Sequence, residues 1–233
     1  MDSPEAGVDS PGDGERARIL RAAIKLFAAL GYDSTAIQQI AEAAGVETKN
    51  VGEHFPTKRE LYLAVMREVH NVQSADVMAW ADGLRAAPPE EKAAALRRLL
   101  DGYLDLCLRH PEIPMLWTHR WMADASDIGL DTVDVQPMTP HIIDRIAAVT
   151  EPAGIDPQFT TYTIIWCIHG FVLSGVLDPA AQRHGTDDPY TLERFREHMY
   201  ELLVRAAGLP RPGAQSTGQG THGAGSRNPE PSP

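Results

Sequence analysis

Between residues 35 and 54 the sequence sets small, apolar and polar side chains at offsets suited to gripping duplex DNA. Two short amphipathic segments meet at Gly45-Val46. A turn that tight needs a residue tolerating positive φ, which Gly45 supplies. Ile40, Ala44, Val46 and Val51 stand where apolar anchors would lock the second segment across the first. The polar residues opening the second segment then project outward, as a helix-turn-helix presents side chains to a major groove. The chemistry on offer is hydrogen bonding, not bond making. No Gly-rich phosphate loop, nucleophile elbow or HExxH motif occurs, which argues against an enzyme. His110, His119, His141 and His169 lack metal-ligand spacing, so neither a metal nor a cofactor is expected.

The elements that must position these groups are helical throughout, and an all-α protein of about nine helices is expected. Ile19, Leu20, Ala23, Ile24 and Phe27 give a first helix over 15–30, capped by Gly31. Thr35 with Gln38 reads as a capping box opening a second helix, and a third runs over 47–54. Thr57 with Glu60 opens a long fourth helix reaching about Trp80. Beyond a break at Ala86-Ala87-Pro88-Pro89, further helices are expected over 90–109, from Pro111 through Trp121, and over 137–149, 157–177 and 189–207. Residues 124–136 read as a loop, and no strand pattern is apparent. The boundaries expected are a disordered N-terminus at 1–12, a helix-turn-helix domain at 13–60, a ligand-binding and dimerisation domain at 61–209, and a disordered Pro/Gly/Ser-rich tail at 210–233.

The formal net charge is −11, which does not suit a general nucleic-acid coat. Residues 13–60 are neutral, with seven basic and seven acidic side chains, so the whole excess lies elsewhere. A DNA-contacting head on an acidic body fits that asymmetry. Cys107 and Cys167 lie in apolar stretches and read as reduced thiols of a cytoplasmic protein. The first residues carry no signal-peptide pattern. The nearly uncharged stretch Thr160 to Leu177 is interrupted by His169 and Ser174, so it reads as a buried bundle helix rather than a membrane span.

Three segments resemble the TetR-family DNA-binding domain: Ile24-Lys-Leu-Phe-Ala-Ala-Leu-Gly-Tyr-Asp-Ser-Thr, Ile37-Gln-Gln-Ile-Ala-Glu-Ala-Ala-Gly-Val, and His54-Phe-Pro-Thr-Lys-Arg-Glu-Leu61. The resemblance implies a homodimeric, ligand-responsive regulator, by family default a repressor, released from a palindromic operator by a small hydrophobic or aromatic effector. It places Thr35 on a phosphate, and Thr48, Lys49 and Asn50 at base-reading positions. Asn can pair with adenine and Lys with guanine. His54 and Lys58 would contact backbone phosphates. Two positions depart from the family pattern. Gly52 stands where an aromatic is usual, and Glu47 replaces a small hydroxyl residue, leaving it to accept from a cytosine amine.

The resemblance also puts an effector pocket in the C-terminal body, for which Tyr103, Trp117, Trp121, Met122, Tyr162, Trp166 and His169 are the candidates. Gly170, Phe171, Ser174, Phe195, Met199 and Leu202 are the candidates for half of a four-helix dimer interface. A second reading stays open: a small-molecule-binding protein of the same fold with weak or lost operator recognition, motivated by Gly52, Glu47 and the neutral head.

Overall fold

The computed structural model describes residues 11–129 and 138–210. The expected disorder of the outermost residues, and most of the expected loop at 124–136, lie outside these. Among the described residues are nine α-helices: α1 Pro11–Leu30, α2 Ile37–Ala44, α3 Thr48–His54, α4 Lys58–Ala86, α5 Lys92–Arg109, α6 Glu112–Trp121, α7 Met138–Thr150, α8 Pro157–Ser174 and α9 Pro189–Ala206. The protein is all-α, as the periodicity predicts. α1 starts earlier than its apolar stripe requires, within the segment expected to be disordered, and α4 continues well past Trp80.

Helices α1 to α3 bury Ile19, Ala23, Phe27, Ile40 and Val51 against Leu61 and Tyr62 of α4. Phe27 meets Tyr62 edge-on, with centroids 5.3 Å apart, and Tyr32 completes the aromatic group. Further along, Val77, Ala81 and Leu84 of the same α4 pack into the core of α5 and α7. Thr57 caps α4 as expected, its hydroxyl accepting from the Glu60 amide at 3.1 Å.

A short antiparallel hairpin joins α8 to α9, with β1 Val176–Leu177 paired to β2 Arg183–His184. Two-residue strands carry no alternating pattern: residues 176–177 fall at the end of the helix expected over 157–177, and residues 183–184 in the connection that follows it. α8 stops because Gly175 takes φ 63° and ψ −154°, a region open essentially to glycine. A Cβ there would stand 2.2 Å from the His184 carbonyl oxygen. His184 sits between the Asp178 carboxylate at 3.2 Å and that of Asp188 at 3.5 Å.

Gly175→Ala is expected to destabilise the protein by about 1–3 kcal/mol, with amide exchange accelerated between residues 175 and 188. Unchanged exchange there would show that the hairpin does not depend on the close approach.

Candidate nucleic-acid interface and ligand cavity

α2 and α3 meet at Gly45, whose φ is 67° and whose amide donates to the Ala41 and Glu42 carbonyls. Val51, fully buried, seats α3, and Thr48 and Lys49 face solvent while Asn50 is half-buried. Glu47 is the N-cap of α3, and its carboxylate lies 3.0 Å from Lys49 Nζ. Both side chains are over two-thirds exposed, so this pair contributes little and can yield to a phosphate or base. Gly52 faces open space, where a Cβ would meet nothing.

Thr35 is placed differently from expectation. It is buried, its hydroxyl donates to the Gly31 carbonyl at 2.6 Å, and its amide donates to Tyr32 O at 3.2 Å. It braces the turn after α1 and has nothing left for a phosphate. The cap of α2 moves one residue along, to Ala36, whose amide donates to Gln39 Oε1 at 2.8 Å instead of Gln38 serving that role. His54 Nε2 lies 3.4 Å from Glu15 Oε1, so it starts out paired. Lys58 Nζ sits over the Tyr32 ring at 4.4 Å. Arg16, which the sequence did not single out, lies over the Phe55 ring at 4.9 Å.

A second attachment of the head was not foreseen. The turn after α6 reaches back to α1, where Asp124 accepts from the amides of Tyr32 at 2.6 Å and Asp33 at 2.9 Å. His119 Nε2 is 3.1 Å from the Ala28 carbonyl. Arg120 donates to the Ala125 carbonyl. Ala123 and Ala125 flank Asp124 at φ 65° and 53°, left-handed backbone that alanine adopts at a cost. His119 and Arg120 fall in the helix expected from Pro111 through Trp121, and Asp124 and Ala125 in the expected loop, where no local pattern marks their distant partners.

An apolar cavity of about 40 Å³ lies where α4, α5, α7 and α8 converge. Val77, Leu99, Tyr103, Ile142, Ile146 and Ile164 form most of its wall. Of the seven expected pocket residues, only Tyr103 lines it. Tyr103 Oη lies 2.6 Å from His169 Nε2, and Trp121 stacks on His169 with centroids 5.2 Å apart. Those two therefore back the wall rather than form it. Trp166 is half-exposed and pairs with Tyr162 at 5.3 Å on the outer face of α8, and Met122 is largely exposed. Trp117 packs against the core from a half-buried position. The aromatic pattern points to large apolar surface; the cavity itself is lined mostly by β-branched side chains, with Leu99, Met138 and Tyr103.

α8 is not fully buried. Phe159, Trp166, Gly170 and Ser174 form an exposed stripe along it, with Leu202 of α9 also exposed. Phe171 and Met199 are buried within the protomer, and Phe195 stacks on Phe171 at 4.0 Å. Phe171 and Met199 lie beneath that face, and Phe195 is half-buried. Both cysteines are free thiols. Among the described residues no group of three or more His, Cys, Asp or Glu side chains could hold a metal ion. Nor is any described helix long and apolar enough to cross a membrane.

Residues 19–65 match the model of bacterial regulatory proteins, tetR family. The HTH-type transcriptional regulator RutR of Escherichia coli K12 is 31% identical over 152 residues, covering 64% of this chain and 68% of RutR. The chain belongs to the TetR family. The HTH-type transcriptional repressor NicS of Pseudomonas putida is 30% identical over 114 residues, spanning 48% of this chain and 51% of NicS. Among solved structures, AibR in complex with isovaleryl coenzyme A and operator DNA superposes with a TM-score of 0.60 at 16% identity, covering 81% of this chain and 97% of AibR. The regulator PfmR of Thermus thermophilus gives 0.54 at 21% identity, covering 88% of this chain and 100% of PfmR. Membership makes this TetR-family protein a transcriptional regulator with a DNA-binding helix-turn-helix.

Two measurements probe the site. Burial lowers the His169 pKa from 6.5 to about 4, and burial also lowers that of His70. The unfolded chain therefore takes up protons first as pH falls, so stability is full above pH 6.5 and declines toward pH 4. His169 accounts for up to about 3 kcal/mol of that decline, and urea melts of His169→Gln should show a flatter profile than the parent. An equally steep profile would place the titration elsewhere. Asp124→Ala should cost about 1–2 kcal/mol and raise amide exchange at Tyr32 and Asp33; protection unchanged at both would remove the second attachment.

Proposed function

We propose that this protein is a homodimeric repressor that binds a palindromic operator and is released when a small hydrophobic effector enters its C-terminal body. The observation that carries this reading is the continuity of α4. Lys58 at its start belongs to the head, Tyr62 packs into the head's core against Phe27, and Val77 of the same helix is in the cavity wall. From Lys58 to Val77 the helix runs about 28 Å without a break. A ligand that shifts Val77 moves Tyr62 with it.

In this reading residues 13–60 form the DNA-binding domain and residues 61–209 the effector-binding and dimerisation domain, working in the cytoplasm where operator DNA is found. Thr48, Lys49 and Asn50 read bases, with Lys49 exchanging Glu47 for DNA. His54 and Lys58 take phosphates by leaving Glu15 and Tyr32. The exposed stripe of α8 with Gly170, Ser174 and Leu202 pairs with its symmetry mate, because small residues at that spacing let helices approach closely. Two heads would then enter successive major grooves about 34–36 Å apart. NicS, named a repressor, supports the repressor role, and AibR, solved with isovaleryl coenzyme A and operator DNA, supports a protein that takes both a ligand and an operator.

A second reading, ligand binding with weak operator recognition, is favoured by the Glu47–Lys49 pair and by Gly52, which leave the recognition helix with little net charge and no aromatic contact. Gel-shift titration of the protein's own upstream region separates the two. The repressor reading expects a retarded complex at low salt, weakened about tenfold or more by Lys49→Ala or Asn50→Ala. No retarded species at low salt would leave the second reading standing.

A further inference from the structure

We infer that the effector is an uncharged, mainly aliphatic molecule: a hydrocarbon chain bearing one hydroxyl or carbonyl group, received between α4, α5, α7 and α8. This rests on the reading of that cavity as the effector site, and adds the chemistry of what enters it.

The wall decides the shape. Val77, Leu99, Ile142, Ile146 and Ile164 are branched aliphatic residues, and Tyr103 is the sole ring among the described lining residues. Flat aromatic ligands are held by stacking between ring faces. Here the candidate rings point elsewhere: Trp121 covers His169, and Trp166 pairs with Tyr162 on the outer face. Flexible chains fit between branched side chains at any angle.

The absence of charge in the described lining decides the charge of the ligand. No Lys, Arg, Asp or Glu is among those residues. An ionised carboxylate or ammonium would be buried there without a counter-charge, which is strongly unfavourable. His169 does not supply one, because its burial keeps it neutral at neutral pH.

The lining hydroxyls decide the polar group. Besides Tyr103, whose Oη is held 2.6 Å from His169 Nε2 behind the wall, the described lining residues include Thr139 and Thr161. The Thr161 hydroxyl already donates to the Pro157 carbonyl at 2.8 Å. A threonine hydroxyl both donates and accepts, so one hydroxyl or carbonyl on the ligand can bond with Thr139.

Size requires one wall to move. The cavity is several-fold smaller than the roughly 300–1,000 Å³ of drug-sized pockets. α7 is the wall that can yield. Beside the apolar packing of Ile142 and Ile146, its polar ties to α4 are Asp82 with Arg145 at 2.6 Å and with His141 at 3.0 Å, and Arg85 with Asp144 at 2.6 Å. Asp82, Arg85 and Asp144 are about half-exposed in these pairs, and exposed pairs contribute little each.

The test is thermal melting of the full chain at pH 7.5 with octan-1-ol, octanoate or 2-naphthol at equal concentration. Octan-1-ol should raise the melting temperature by about 3 °C or more, with octanoate and 2-naphthol giving less than half that shift. Ile142→Trp, which fills the cavity, should abolish the octan-1-ol shift. If that variant does not fold, Ile146→Ala serves instead: it enlarges the cavity and should move the optimum to a longer alcohol. A shift from octanoate or 2-naphthol equal to or larger than that from octan-1-ol overturns the inference, as does an octan-1-ol shift untouched by the cavity variant. Gel shifts keep the two proposals separate. Octan-1-ol stabilisation without any operator complex defeats only the repressor reading, whereas an operator complex with octanoate as the stabilising probe defeats only this one.

Discussion

Two cores share one helix. α4 buries Leu61, Tyr62 and Val65 with the head and Val77, Ala81 and Leu84 with the body, and nothing in its sequence from Lys58 to Ala86 breaks it. An α-helix of that length transmits displacement because bending it requires a kink-forming residue or lost backbone hydrogen bonds. Neither core can rearrange at α4 without the other responding. The placement of the recognition helix follows from this constraint, since α3 is seated through Val51 on a core that includes the start of α4.

A single attachment would leave the head free to pivot. The turn after α6 provides the second, through Asp124 on the amides of Tyr32 and Asp33 and His119 on the Ala28 carbonyl. Two attachment points turn relative movement of α4 and α6 into rotation of the head. The left-handed backbone at Ala123 and Ala125 is costly for alanine, so the bonds made by Asp124 and Arg120 must hold this turn in place. His169 connects that region to the cavity, because Trp121 at the end of α6 stacks on it and Tyr103 of the cavity wall is bonded to it. A disturbance at Tyr103 thus has a packed route to α6 as well as to α4.

The head was legible in the sequence because local rules govern it. Gly45 marks the turn, Thr57 and Glu60 the start of α4, and the apolar spacing of α1 its buried face. Thr35 was misread because a hydroxyl before a helix serves as a cap or as a brace, and only the position of the Gly31 carbonyl decides which. The cavity was less legible. Four helices far apart in sequence converge on it, and β-branched residues lining a void look the same in sequence as those filling a core. Trp166 and Met122 drew attention by size, yet size says nothing of direction, and both face outward. Asp124 gave no signal because its partners are backbone amides more than ninety positions away.

The central claim is that the cavity and the recognition helices are mechanically joined. Pulsed electron paramagnetic resonance tests it directly, with one spin label at the exposed Glu53 of α3 in each protomer of the proposed dimer and Cys167 replaced by Ser to prevent stray labelling. The distance between the labels should change when octan-1-ol is added at a concentration that stabilises the protein against melting. An unchanged distance distribution at that concentration would contradict the claim.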